Sequence, residues 1–279
     1  MTTELRRVFD EDAERYDRAR PGYPPQIFED LAAAGAPPPA RVLEIGPGTG
    51  KATVPLAERG YRITGIELGA SLAAAAQRNL ADHPAVAIVT GSFEGWALPE
   101  EPFDMVFAAT SFHWIDPATR VSRSADALRI GGLLATVATH HIKGGTEVFF
   151  AAAQRLYERY DPRTPPNLRL EPARDIPHDD AEITASDRFG PAAFHRYEWD
   201  ATYTTPEYLD LLLTYSTTRS MPRPEQSALL DGIGRLIDEE HGGRIVKRYL
   251  SEASAGPPDT VTGRGTRMAQ HRAPASAAA

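Results

Sequence analysis

The nine residues Val42-Leu43-Glu44-Ile45-Gly46-Pro47-Gly48-Thr49-Gly50 hold three glycines at alternate positions, beginning two residues after a carboxylate. Glycine lets a chain turn sharply and brings bare backbone against a ligand. A helix beginning just beyond would aim unsatisfied N–H groups and a positive dipole end at that turn. Such a loop can hold a nucleotide-like ligand. Glu67 closes the next apolar run. Both oxygens of a carboxylate accept hydrogen bonds, so Glu67 can grip the diol of a ribose. His113, His140 and His141 follow later apolar runs. Unperturbed imidazole titrates near pH ~6.5 and can take a proton at neutral pH.

The spacing discriminates between ligands. A phosphate loop needs a glycine at position 45 and a hydroxyl at position 52, which here are Ile45 and Ala52. A dinucleotide fingerprint needs glycine or alanine three residues after its second glycine, where Lys51 stands. Neither motif accounts for Glu44.

The elements around these residues follow from hydrophobic pattern. Strands are expected over residues 41–45, 61–67, 86–90, 103–109 and 133–139, and helices over 52–59, 71–81 and 120–128. Alternating apolar strands and helices imply a doubly wound, mostly parallel α/β sheet with helices on both faces. Right-handed crossovers gather the strand C-termini on one edge, where open sheets bind ligands. His113, His140 and His141 fall at that edge. Strand side chains alternate, so His140 and His141 should face opposite ways.

Upstream, apolar residues from Leu5 to Tyr16 recur at helical spacing, and Arg20-Pro21-Gly22-Tyr23-Pro24-Pro25 breaks that helix. The prolines suit the start of a second helix with Ile27, Phe28 and Leu31 on one face. Downstream, 147–160, 206–217 and 224–240 read as helices, 161–180 as a proline-rich loop, and 193–203 and 244–250 as strands. The division is a helical cap (1–40), a ligand-binding core (41–140), an inserted helical lid (141–192), the rest of the core (193–253) and a disordered tail (254–279). Trp96, Trp114, Phe149, Phe150, Tyr157 and Trp199 are candidates for an acceptor pocket, unless they serve as core.

Composition narrows the partners. The net charge is −8 and no basic run occurs, so nucleic acid and anionic membranes are poor partners. There is no cysteine, which removes thiolate chemistry and disulfides. No apolar run is long enough for a membrane span, and the N-terminus lacks a secretory pattern, so a cytoplasmic location is expected. No carboxylate–histidine spacing suggests a metal.

Glu44, Gly46, Gly48 and Gly50 match the first motif of the Rossmann-like, class I S-adenosylmethionine-dependent methyltransferases, and the chain resembles that family closely over residues 9–137. The resemblance is weaker over 208–250, including Thr214-Tyr215-Ser216. It implies a Rossmann-like sheet with a last antiparallel strand and S-adenosyl-L-methionine as cofactor. The glycine backbone would lie along the methionine and ribose, with Glu44 near the ammonium group. Glu67 would hold the ribose and Leu68 the adenine. Relatives often carry Gly-Asp-Ala-Glu where this chain has Gly91-Ser92-Phe93-Glu94. Ser92 and Phe93 would then meet the adenine, with an uncharged hydroxyl replacing the usual carboxylate. Ala109 leaves room for cofactor and acceptor to approach.

Phe112-His113-Trp114, Tyr16-Asp17 and Arg20-Pro21-Gly22-Tyr23-Pro24 resemble the small-molecule branch typified by trans-aconitate methyltransferases. There the N-terminal segment folds over the cofactor. Arg20 would pair with the cofactor carboxylate, and Tyr16 would exclude water. His113 and His140 are the candidate general bases, and a small molecule is the expected acceptor. The alternatives are a cofactor-binding protein without methyl transfer and an NAD(P)-dependent oxidoreductase.

Overall fold

The computed structural model describes residues 9–178 and 181–256 of the 279. Five parallel strands form first: β1 (Arg41–Ile45), β2 (Arg62–Glu67), β3 (Val86–Thr90), β4 (Phe103–Ala109) and β5 (Leu128–His141). Two more, β6 (Ala193–Thr204) and β7 (Arg244–Gly256), complete a seven-stranded sheet ordered β3-β2-β1-β4-β5-β7-β6. β7 runs antiparallel to both of its neighbours.

The central strands β1 and β4 are apolar and almost wholly buried, as strands covered on both faces must be. Helices α3 (Thr53–Glu58), α4 (Ala70–Asn79) and α5 (Arg120–Ala127) connect them. α1 (Ala13–Ala19) starts at Asp12, whose carboxylate accepts from the Arg15 N–H at 3.0 Å, and stops before Pro21. The expected first turns of that helix, with Leu5 and Val8, lie outside the described residues. α2 (Pro25–Ala33) opens on proline and buries Ile27, Phe28 and Leu31.

The later part differs from expectation in extent. β5 reaches two residues beyond the expected strand end, and β7 continues to Gly256 rather than stopping near Leu250. Residues 251–256 are mostly small or polar, with weak intrinsic strand preference. They are held because both flanks are paired: Ser254 lies between Thr136 and Phe194. The first residues of the expected disordered tail therefore belong to the sheet, and positions 257–279 lie outside the described residues.

α6 (Glu147–Tyr160) leads into an irregular stretch with a 3₁₀ turn at Ala173–Asp175, then the short α7 (Ala181–Thr184). After β6 come α8 (Thr205–Leu212), α9 (Ser216–Arg219) and α10 (Arg223–His241). Gly242, at φ +61°, ends α10 in the left-handed conformation that glycine adopts freely. Phe149, Tyr208, Leu211, Leu229, Ile233 and Ile237 lock these helices onto β7. Each such side chain contributes roughly 1.5–3 kcal/mol on burial.

Candidate active site

A cavity of about 830 Å³ opens over the C-terminal ends of β1, β2, β4 and β5. Its size falls in the ~300–1,000 Å³ typical of small-ligand sites. Glu67, at the end of β2, ties its floor together. The Gly48 N–H donates to Glu67 Oε2 at 2.8 Å, and the Gly69 N–H donates to Oε1 at 2.9 Å. Each oxygen keeps a lone pair for a further donor. Burial raises the Glu67 pKa, against the pull of those two N–H groups.

Glu44, one strand over, has the opposite character. It is 1% exposed, and its Oε2 has no hydrogen-bond partner although the residue lines the cavity. Burial, reinforced by the nearby Glu67, pushes its pKa up to about 8. An unsatisfied buried acceptor costs roughly 1–3 kcal/mol, so a donor on a ligand would be rewarded there.

The loop between them is shaped by glycine. Gly46 sits at φ +68°, and a Cβ there would lie 2.8 Å from Ser111 Cβ. Gly48, at φ +61°, faces the Tyr16 ring, 3.6 Å from where its Cβ would be. Gly50 departs from the expected contact set. It does not line the cavity; its N–H donates to the Pro47 carbonyl at 2.9 Å and closes the turn from behind.

Leu68, Ser92, Phe93 and Ala109 all reach the cavity. Ser92 Oγ accepts from the Gly95 N–H at 3.1 Å, which holds the turn after β3. Phe93 is buried beneath the Arg123 guanidinium, and its carbonyl accepts from Arg123 Nε at 2.7 Å.

The N-terminal segment crosses the mouth. Lys51 and Asp17 lie 3.8 Å apart and tether it to the glycine loop. Arg20 Nη2 donates to the Thr214 carbonyl at 3.1 Å, while its guanidinium stacks between the Tyr16 and Tyr215 rings. Arg20 Nε is buried without a partner. Tyr23 and Thr110 hydroxyls meet at 2.8 Å. Thr110 has φ 53°, a strained conformation for a β-branched residue. Nothing in the sequence marks that strain, which places a hydroxyl at the cavity lip.

Comparison with known proteins decides what this edge belongs to. Residues 43–136 match a family model described as a methyltransferase domain. An uncharacterised methyltransferase of Mycobacterium tuberculosis is 29% identical over 223 residues, covering 80% of this chain and 82% of the relative. One from Geobacillus thermodenitrificans is 30% identical over 142 residues, covering 47% and 65%. A solved structure named as a type II methyltransferase of Anaeromyxobacter dehalogenans superposes with a TM-score of 0.60. It is 22% identical and covers 85% of this chain and 97% of that one, a likeness of fold. Residues 43–136 are the methyltransferase domain of an S-adenosylmethionine-dependent enzyme.

That cofactor fits the residues present. A cationic ammonium group suits the unspent oxygen of Glu44, a ribose diol suits Glu67, and a carboxylate suits the unpartnered Nε of Arg20. The nicotinamide reading, already opposed by Lys51, gives way to the family match.

In this methyltransferase, three histidines border the cavity. His113 is exposed on a 3₁₀ turn over Phe112–Trp114, with its ring 5.0 Å from that of Trp114. His140 and His141 end β5, and both contribute to the wall. Burial, then the Lys247 charge, drives the His141 pKa down to about 3, and its Nε2 is buried without a partner. His141 is a neutral imidazole beside Phe150, at 4.4 Å between ring centres.

Of the six aromatics considered for the acceptor pocket, Trp114 lines the cavity. Trp96 packs near Phe103, and Phe149, Phe150, Tyr157 and Trp199 belong to the cluster under β7. They serve as core because they fall on inward faces of α6 and β6. The aromatics that do line the site farther on are Tyr215 and Tyr249, with Lys247 between them. Alternation along β7 places Lys247 and Tyr249 on one face. A strand starting at Arg244 already contained that signal, but nothing in the sequence says which face looks inward.

Proposed function

We propose that the enzyme transfers a methyl group to a small-molecule acceptor held in this cavity. The observation that carries the reading is the pairing of two buried carboxylates. Glu67 is pinned by two backbone N–H groups, and Glu44 beside it keeps one oxygen unspent. When bound, S-adenosylmethionine supplies a methyl carbon activated by a sulfonium. Glu44 accepts from its ammonium group and Glu67 from the ribose diol. Gly46 and Gly48 let the backbone approach, Gly50 shapes their loop, and Leu68, Ser92 and Phe93 flank the adenine. Arg20 pairs with the cofactor carboxylate, and Tyr16 keeps water from the loop. Ala109 leaves the acceptor free to approach to the ~3–3.5 Å needed for in-line attack. His113 and His140 stand where a proton leaving the acceptor can be taken.

Several features support a small acceptor. The cavity is bordered by the segment around Tyr16 and Arg20 and by Tyr215–Thr217. The chain is acidic, which disfavours a polyanionic substrate. Separately from the acceptor, no helix among the described residues is long and apolar enough to cross a membrane. The resemblance of Phe112-His113-Trp114 to the trans-aconitate branch belongs to the same proposal.

The deciding experiment is calorimetric titration with S-adenosylhomocysteine, NAD and NADP. Binding of the homocysteine compound alone is expected. A nicotinamide signal without a homocysteine signal would overturn the reading.

A further inference from the structure

One cation in the cavity wall is used by nothing described so far. Lys247 is 4% exposed, yet no carboxylate pairs with it among the described residues. Its Nζ donates to Tyr215 Oη at 2.9 Å and lies 5.2 Å and 4.9 Å from the ring centres of Tyr215 and Tyr249. A buried ammonium without a counter-ion is unfavourable for folding. Aromatic faces and one phenol soften that cost but supply no formal charge. Other charges nearby are committed. Glu252 also lines the cavity, but its carboxylate is bound by Arg196 and by His178 at 2.7 Å. Glu44 and Glu67 belong to the glycine-loop end, and Arg20 faces the cofactor carboxylate under the reading above.

We propose that Lys247, between Tyr215 and Tyr249, is the seat of a carboxylate carried by the methyl acceptor, which makes that acceptor a small organic acid. The inference rests on the methyltransferase reading of the cavity. A single ammonium with tyrosine neighbours matches a single negative charge. His141, on the same strand face, offers an unpartnered ring nitrogen for a second polar contact. The aromatic walls suit an apolar or flat body attached to the acid. Burial pushes the Tyr215 phenol up, but Lys247 and Arg20 outweigh it and hold its pKa below the ordinary value. The same field that favours a phenolate favours a bound carboxylate.

The test uses the full chain saturated with S-adenosylhomocysteine. Calorimetric titration compares benzoate with benzamide, cinnamate with cinnamamide and hexanoate with hexanamide, with inorganic phosphate alongside. At least one acid should bind ten-fold or more tightly than its amide. Lys247→Gln should erase that difference while S-adenosylhomocysteine affinity stays within two-fold, and Lys247→Arg should restore part of it. Without ligand, Lys247→Met should melt no lower than the wild type, because it removes an uncompensated charge. No acid preference anywhere in the panel, a preference that survives in Lys247→Gln, or binding of phosphate alone overturns the proposal. So does a marked drop in melting temperature for Lys247→Met, which would make the lysine structural. Failure of S-adenosylhomocysteine to bind the wild type would instead strike the methyltransferase site itself.

Discussion

The Gly48 N–H and the Glu67 carboxylate meet at 2.8 Å across the gap between the loop after β1 and the turn after β2. Glu67 therefore has two tasks, bracing the loop and presenting oxygens to the cavity. Glu67→Gln replaces one acceptor oxygen with an NH₂ group that faces backbone donors. Hydrogen bonds to charged groups contribute ~1.5–3 kcal/mol, so S-adenosylhomocysteine affinity should fall by about ten-fold or more. Isothermal titration of the variant measures it. Unchanged affinity would remove Glu67 from the site.

Glu44 links cofactor binding to pH. Its pKa is raised from 4.5 to about 8, so the free enzyme holds a proton there at pH 7. An ammonium group beside it favours the ionised form. Binding at pH 7 should therefore release a proton, seen as a dependence of binding enthalpy on buffer ionisation enthalpy. Glu44→Gln should abolish the Glu44 share of that dependence.

The same shift sets a trend in stability without ligand. A carboxyl whose folded pKa is raised binds more protons folded than unfolded. Its contribution is complete below pH 4.5 and is lost as pH rises through about 8. Melting temperature should decline over that window, and Glu44→Gln should flatten the decline.

Gly48→Val tests the loop itself. A branched side chain at φ +61° is strained by ~1–2 kcal/mol and would stand between the loop and Tyr16. Cofactor affinity should drop by at least ten-fold, while circular dichroism keeps the sheet signature. Affinity equal to wild type would displace the cofactor from this loop.

Arg20→Ala separates clamp from scaffold. Loss of a partly buried guanidinium pairing should weaken S-adenosylhomocysteine by roughly ten-fold. Arg20→Lys should recover only part, because an ammonium lacks the fork. Titration of both variants decides it, and wild-type affinity in Arg20→Ala would leave the N-terminal segment without the role assigned to it.

The legible part of this molecule was local. The Glu44–Gly50 motif, Glu67 and the strands that carry them follow from short apolar runs and glycine spacing, which are local signals. Ile27, Phe28 and Leu31 were readable as one helical face. Lys247 and Tyr215 are not readable as a site, because Tyr215 lies between α8 and α9 and reaches Lys247 on β7 only in the folded chain. Motif spacing marks Gly50 but does not say which side of a turn meets the cavity, and Gly50 lies on the far side. Residues 254–256 looked too small and polar for a strand, since their stability comes from partners more than a hundred residues upstream on β5.

That docking has a consequence for the way the molecule is made. β5 pairs through Leu134–His141 with Tyr249–Gly256, so its outer edge stays bare until the last described residues exist. A nascent chain on the ribosome can assemble β1 to β5 early, but it carries an open strand edge throughout synthesis of the next hundred or so residues. Exposed edges recruit other strands, and distant pairings form slowly. The bare edge of β5 is therefore the place where an incomplete chain would recruit a foreign strand, and β7 is the element that closes it.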